Sequence, residues 1–346
     1  MLKVLVVDMK NELVQKAVLK GVSRNSTIEE LSLNNFTGSQ ESTAIVARMI
    51  SSNRVLRKLT LSTRDNADLG MYTIYECWIL ALIENETLEE IEMDRLRISA
   101  GLALLLESTT SLRRLTLFVG TGAEVKAGDD SRWWLLVLVA LSHSDSLREL
   151  SVTLLDVSDQ IRATLAESVR LSGSIRCVIY DDFGEDATVF VRRLSKDISK
   201  NYTLLSVDCE GHVDADFLGD WLTVQETTRR NSSLVARAAR LLKASLYDRY
   251  VSGALERVSL YPALLDEVAE QVKRDKAELM SLVRDRLRGT NTLDGFMRFA
   301  GVVRESVVCH PSQDGRMQLD DLNEDCWMYV RRYLFIDDVK EAIGPT

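Results

Sequence analysis

The sequence predicts an α/β fold: a solenoid of stacked strand-helix units, with a parallel inner sheet and outer helices, followed by a small all-helical C-terminal domain. Three observations predict it. A strand signature, apolar-x-x-apolar-x-apolar, recurs eight times between Leu2 and Cys209. Most copies are followed by a stretch whose apolar residues fall at helical spacing. All three prolines, Pro262, Pro311 and Pro345, lie in the last quarter, so a uniform proline-free pattern fills the first 261 residues. Self-similarity of this kind marks a repeat architecture, in which each unit buries its apolar face only against its neighbours.

The copies are Leu2/Leu5/Val7, Ile28/Leu31/Leu33, Leu56/Leu59/Leu61, Leu88/Ile91/Met93, Leu112/Leu115/Leu117, Leu147/Leu150/Val152, Ile175/Val178/Tyr180 and Leu204/Val207/Cys209. Their first positions step by 24 to 35 residues. Asn25, Asn85 and Asn201 each stand three residues before a copy, and Asn231 stands three before Leu234, an echo of the motif. These four N-x-[ST] sequences therefore read as turns of the repeat rather than glycosylation acceptors; a fifth begins at Asn35. The predicted helices are 9–24, 41–51 (through Ala44, Ile45, Arg48 and Met49), 71–85, 99–109, 132–143, 159–171, 186–200 and 214–230. Trp133 and Trp134 start the fifth, where the spacing sends at least one ring into the core. The segment Gly120–Asp130 is glycine-rich but lacks the Gly-Lys-[Ser/Thr] ending of a phosphate loop, and reads as an insertion that lengthens one unit.

The solenoid is expected to span 1–233 and the helical domain 234–346. Residues 234–246, 264–287 and 293–303 carry helical periodicity. The charged run Lys273–Glu278 reads as a solvated face with i,i+4 pairs, and Val268, Val272, Leu279 and Leu282 as core. A last helix, capped by Asp320/Asp321, places Leu322, Cys326, Trp327, Val330, Tyr333 and Leu334 on one apolar stripe.

Composition narrows the function. A net charge of −9 and a pI near 5.1 oppose binding to nucleic acid or to an anionic membrane. The longest apolar run, Trp133–Leu141, is too short to span a bilayer, and the N-terminal residues lack the apolar core of a signal peptide. Five unclustered cysteines suit a reducing compartment, so a cytoplasmic location is expected. Cys209-x-x-His212, even with Cys177, offers too few ligands for zinc, and Cys309-His310 has no further ligands nearby. With only His143, His212 and His310 available, no nucleophilic triad is placed by a motif, and Asp181-Asp182 reads as a turn pair. No cofactor, metal or enzymatic activity is expected.

Side chains alternate across a strand, so residues between the inward motif positions line the concave face in three columns. The first is Val4, Glu30, Lys58, Glu90, Arg114, Glu149, Cys177, Ser206, whose middle members alternate in sign. The second is Val6, Ser32, Thr60, Glu92, Thr116, Ser151, Ile179, Asp208, and the third Asp8, Asn34, Ser62, Asp94, Phe118, Thr153, Asp181, Glu210. Together they hold nine acids against two bases, which puts most of the excess charge on one face. Glu90/Glu92/Asp94 and Asp181/Asp208/Glu210 form two acidic patches, with Glu149 and Phe118 nearby. The expected function is a non-enzymatic protein-protein interaction scaffold whose acidic face binds a basic protein partner.

The eight copies resemble the ribonuclease-inhibitor-like class of leucine-rich repeats, found also in the recognition end of NOD-like receptors, over residues 2–231. That family places Asn or Cys three residues after the last motif leucine; here Phe36, Arg64, Leu96, Gly120 and Leu155 stand there. The resemblance implies a protein-binding solenoid. The segment 319–341 resembles the opening of an F-box through Leu322, Asp325, Val330, Tyr333, Leu334, Asp338 and Val339, a combination similar to uncharacterised arthropod leucine-rich-repeat proteins. It departs from that motif in having Asn323 in place of Pro and in ending seven residues after Val339. An F-box would imply an adaptor that presents substrates to a cullin-type ubiquitin ligase, docking through Leu322, Trp327, Val330, Tyr333 and Leu334. A capping helix packed within its own domain is the alternative. No polar cap precedes Leu2, so either the chain is a piece of a longer one or helix 9–24 and an oligomer partner cover that end; the first alternative, the favoured one, brings a third function, the sensor arm of an innate-immune-type receptor.

Overall fold

The computed structural model describes residues 2–8, 12–36, 40–63, 72–94, 100–120, 130–155, 157–183, 187–210, 217–243, 249–309 and 317–339. The glycine-rich 121–129 segment, His212 and His310 lie outside them, as do the side chains of Cys77 and Asp94. The chain comprises two compact units, Met1–Thr228 and Arg229–Thr346.

The first unit is built on an eight-stranded parallel sheet whose strands lie side by side in chain order. They are β1 (Val4–Asp8), β2 (Glu30–Phe36), β3 (Lys58–Thr63), β4 (Glu90–Asp94), β5 (Arg114–Gly120), β6 (Glu149–Leu155), β7 (Cys177–Asp182) and β8 (Ser206–Glu210). Each of the first seven is followed by a helix: α1 (Glu12–Ser23), α2 (Gln40–Ser52), α3 (Tyr72–Glu84), α4 (Ala100–Ser108), α5 (Asp130–His143), α6 (Asp159–Leu171) and α7 (Thr188–Ser195). Consecutive helices pack against one another to form a second layer. This repeat-like α/β architecture fits a solenoid.

Between the layers runs one continuous apolar core. From the second copy to the seventh, every motif residue is buried, and the helices contribute partners such as Val46, Met49, Leu105, Val137 and Leu165. Each such side chain stabilises the fold by roughly 1.5–3 kcal/mol. Trp134 enters the core, whereas Trp133 stays 36% exposed. At the edge strand β1 the pattern weakens: Leu2 is 57% exposed, and Leu5 and Val7 are only half-buried. At the other edge, α8 (Leu218–Lys243) follows β8, buries Phe217 beside its start and Val224, and sends Gln225 Nε2 to the Val207 carbonyl at 2.9 Å.

A column of polar residues three positions before each motif copy turns helix into strand. Asn53 Oδ1 accepts from the N–H groups of Val55 and Leu56 at 2.8 and 2.9 Å, and Asn85 Oδ1 from those of Thr87 and Leu88 at 2.8 and 2.9 Å. Asn25 and Asn201 make the same pair of bonds, and Ser172 makes it with a hydroxyl. The amide nitrogens tie each turn to the preceding unit: Asn85 Nδ2 donates to the carbonyls of Ile50 and Asn53 at 2.6 and 2.8 Å, and Asn201 Nδ2 to Arg170 at 3.0 Å. The hydroxyl two residues on does likewise, from Thr27 to Leu2, Thr87 to Leu56 and Ser146 to Thr109. At each of β2 to β8, the N–H groups of the first strand residue and the one before it share the carbonyl of the residue just before the preceding strand, starting with Glu29 and Glu30 on Lys3.

The helix boundaries differ from expectation in two places. The seventh stops at Ser195, because Asp197 adopts φ 58°, and a short 3-10 turn, Ile198–Lys200, follows. The eighth continues to Lys243, so the Asn231-x-Ser-Leu234 echo lies inside a helix instead of at a strand start, with Asn231 fully buried. The division at 228/229 falls within this helix, five residues before the position the sequence suggested.

Among its described residues, the second unit holds α9 (Arg249–Ser259), α10 (Pro262–Val272), α11 (Lys276–Leu287), α12 (Leu293–Phe299) and α13 (Glu324–Arg331). The stretch 264–287, expected to be continuously helical, is broken at Lys273, which takes φ 55°. Asp275 then caps α11 by accepting from Ala277 N and Glu278 N, while the expected i,i+4 pair forms between Arg274 and Glu278 at 2.6 Å. Val268 and Leu279 are buried; Val272 and Leu282 are partly so.

The turn column carries a direct expectation. Asn85 is 2% exposed and serves four backbone groups, so Asn85→Ala strands buried donors and acceptors and lowers stability by about 3 kcal/mol. Asn25→Ala, at a site water can reach, costs about 1 kcal/mol. Urea unfolding midpoints of the two variants measure the difference.

Candidate protein-interaction surface

Parallel pairing in a common register brings the between-motif residues into the expected columns. Val4, Glu30, Lys58, Glu90, Arg114, Glu149, Cys177 and Ser206 face one another strand by strand, and so do Val6, Ser32, Thr60, Glu92, Thr116, Ser151, Ile179 and Asp208. The third column is interrupted. Asn35 takes φ 56° and shifts the register between Leu33 and Phe36, and the pairing of β4 with β5 ends at Met93 and Leu117, short of Asp94 and Phe118. It resumes as Phe118, Thr153, Asp181 and Glu210.

The first column neutralises itself. Lys58 Nζ meets Glu90 Oε1 at 2.5 Å, Arg114 reaches the other Glu90 oxygen at 3.4 Å, and Arg114 Nε meets Glu149 Oε2 at 2.7 Å. The hydrogen bond that Lys58 donates to Glu90 holds its ammonium above the ordinary pKa, and the one that Arg114 donates to Glu149 does the same for the guanidinium. A neighbouring row repeats the device with Lys3–Glu29 and Arg57–Glu89. Glu90 and Glu149 thus already have cationic partners in the sheet, and Glu92 accepts a hydrogen bond from Thr60 Oγ1 at 3.2 Å. The Glu90/Glu92/Asp94 patch is correspondingly weaker than the sequence implied.

The Asp181/Asp208/Glu210 patch differs. Asp181 and Glu210 stand directly opposite each other on β7 and β8, a like-charged cross-strand pair, and Asp208 faces Ile179 in the adjoining column. Asp208 and Glu210 are exposed, and no base occupies either strand within the three columns. Burial, then the charges of Glu210 and Asp182, push the Asp181 carboxyl above its ordinary pKa. Two large apolar side chains stand with these acids on β7 and just after it: Ile179, 44% exposed, and Phe183, 61% exposed. Phe118 is half-buried in the third column. Cys209 faces the core side, where burial pushes its thiol up to about 12, so it is no nucleophile at neutral pH.

Beneath this patch lies a buried ionic network that sequence reasoning missed. Arg162 of α6 grips Asp182 with both arms, Nε to Oδ2 at 2.7 Å and Nη2 to Oδ1 at 3.1 Å, and also donates to Asp159 at 2.8 Å. Tyr180 donates its hydroxyl to Asp182 at 2.7 Å and stacks on Phe190 at 4.0 Å between ring centroids. Asp182 is therefore not a solvated turn former; it is 3% exposed and anchored under the sheet. Two signals could have found it: Arg162 shares the inward face of α6 with Leu165 and Val169, and Tyr180 places a hydroxyl at an otherwise apolar motif position. With Asp182 pinned inward, alternation leaves Asp181 and Phe183 on the solvent side.

The C-terminal stripe does not stay together. The helix starts at Glu324 with Asn323 as its cap, accepting from Cys326 N at 2.8 Å, rather than with Asp320/Asp321. Those two aspartates lie in a preceding 3-10 turn, where Asp320 accepts from Cys309 N and Asp321 from Gln318 N. The helix also ends at Arg331, so Trp327 and Leu334 turn inward while Val330 and Tyr333 face out, 37% and 71% exposed; Leu322 is half-buried and Cys326 exposed. Trp327 joins Phe296, Ala300 and Ile336 in a small core, with Leu334 packed against it. Arg331 pairs with the buried Glu256 of α9, which also accepts from Ile336 N at 2.8 Å. Gly253 of the same helix lies against the Asp337 carboxylate, which a Cβ there would push aside. Arg257 covers the Phe335 ring at 3.9 Å.

Comparison of the chain with models of protein families and with curated protein sequences gave no match. Among the described residues, no group of three or more His, Cys, Asp or Glu side chains is placed to hold a metal ion, and no helix is long and apolar enough to cross a membrane.

Two outcomes follow. Arg162→Ala leaves Asp182 buried without its cation and lowers the unfolding free energy by about 3–5 kcal/mol in chemical denaturation. Asp181 has a raised carboxyl pKa in the folded state, so it opposes folding increasingly as pH rises through the carboxylate range. Asp181→Asn accordingly stabilises the protein at neutral pH by about 0.5 kcal/mol, an advantage that vanishes near pH 3, and thermal melts across pH measure it.

Proposed function

We propose that this protein is a non-enzymatic interaction scaffold whose first unit, a leucine-rich-repeat solenoid of the ribonuclease-inhibitor-like kind, binds a basic protein segment on the solvent side of its sheet. The observation that carries this reading is the like-charged pair Asp181/Glu210 beside Asp208, next to exposed Ile179 and Phe183. Opposed carboxylates on adjacent strands destabilise a sheet, and a cationic ligand relieves that repulsion on binding. The apolar pair supplies the desolvated contact that gives such complexes their affinity, while the acids steer encounter and reject acidic competitors.

The first-column ladder then fixes the sheet and contributes little to recognition, which narrows the binding residues to β7, β8 and their flanks. Scaffold is favoured over ubiquitin-ligase adaptor because Trp327 and Leu334, two of the five docking residues, pack into their own unit, and Arg331 and the Ile336 N–H fasten the segment to Glu256 of α9.

Fluorescence anisotropy with a panel of lysine- and arginine-rich peptides tests the proposal. Wild type should bind a subset with an affinity that falls as salt rises, and Asp208→Lys with Glu210→Lys should weaken binding at least tenfold. Phe183→Ser should weaken it without changing the salt dependence. Binding that is indifferent to salt and to both acid reversals would remove the acidic face from the function.

A further inference from the structure

The helical layer of the first unit carries a second surface of opposite character. In α2 and in α6 up to its last residue the outward positions are polar or small, Glu41, Ala44 and Arg48 in one and Gln160, Thr164 and Glu167 in the other, with a single exposed leucine, Leu171, at the end of α6. In α3, α4 and α5 they are not. Leu80 is 57% exposed, Leu104 46%, Leu135 51%, Leu136 45% and Val139 52%, with Trp133 at the head of the row. These helices also bury their inward faces through Trp78 and Leu82, Leu102 and Leu105, and Val137 and Leu141, so large apolar residues stand on both their inward and outward faces. They are adjacent in the layer, and their outward residues form one field.

From the exposures, this field covers roughly 500 Å², at the upper end of what soluble monomers show. Its large apolar members are uncharged and charge enters only at its edge, through the exposed Glu84 and Glu107 in the last turns of α3 and α4, which separates it from the sheet face and from a chain of net charge −9. Two copies of so acidic a molecule repel each other through most of their surface, and an apolar, uncharged field is where that repulsion is least. Face to face, two such fields remove roughly 1,000 Å², the area at which specific interfaces begin. A two-fold axis needs one surface complementary to itself, which a row of leucines and a valine provides without pairing charges.

We propose that the outer face of α3, α4 and α5 is a self-association surface, on which a second copy of this chain docks as a two-fold dimer. The test is sedimentation equilibrium of the full chain. Wild type should behave as a dimer at micromolar concentration, held or strengthened by added salt, since salt screens the repulsion and leaves the apolar contact intact. That salt response is opposite in sign to the one expected for peptide binding on the sheet, so the two ideas fail separately. Leu136→Glu with Val139→Glu should give a monomer with unchanged circular dichroism and melting. Leu104→Glu, on the neighbouring helix, carries the same test should the double variant fold poorly. A wild-type monomer at every concentration, or a dimer that survives these substitutions, overturns the proposal.

Discussion

The first unit depends on a hand-over of backbone hydrogen bonds at one recurring place. Where each helix ends and the chain must reverse into a strand, N–H groups lose their helical partners before the sheet can supply new ones, and at the buried turns of Asn53, Asn85 and Ser172 water has little access to them. Asn25, Asn53, Asn85, Ser172 and Asn201 fill that gap with one side-chain oxygen each. At Asn85 and Asn201, the amide nitrogen then satisfies carbonyls at the end of the preceding helix, so the same side chain closes one unit and joins it to the last. Neither the uniform register of the sheet nor the continuous core would survive if these turns varied in length.

That register is what gives the sheet surface its chemistry. One residue per strand enters each column, so the sign of neighbouring side chains decides whether a column is neutralised internally. From β3 to β6 it is, through Lys58, Glu90, Arg114 and Glu149. At β7 and β8 it is not, and the acids there are held in place from below by Arg162 acting on Asp182. A buried bidentate pair is a poor source of stability compared with apolar packing, but it fixes geometry. Here it sets which way the chain faces as it leaves β7.

Much of this was legible in the sequence because it is periodic. The eight motif copies, the columns and the helices from α2 to α6 follow from spacing alone, since each is a statement about which face a residue occupies. The Asn positions were legible as well, although only as a pattern tied to the N-x-[ST] signature, which hid Asn53 and the hydroxyl members. What spacing could not show was pairing across distance. Whether Glu90 is a free carboxylate or a salt-bridged one depends on Lys58 and Arg114, residues 32 and 24 positions away. Asp182 looked like its neighbour Asp181 until Arg162 separated them. Periodicity also misled where it ran through a break: Lys273 and Asp197 take left-handed backbone in stretches whose apolar spacing reads as unbroken helix, and Asn231-x-Ser-Leu234 repeats the turn signature inside α8. The final stripe failed for a related reason, since a helix that stops at Arg331 cannot carry Tyr333 and Leu334 on the face of Trp327.

The two-layer construction has a consequence for how such a molecule can change over generations. The solvent side of the sheet and the outer side of the helices are separated by a full thickness of core, on the order of 10 Å. Substitutions that far apart, sharing no neighbours, act additively on stability. Selection on one surface therefore leaves the other undisturbed, and each can drift, specialise or be lost on its own schedule while the motif leucines between them stay fixed.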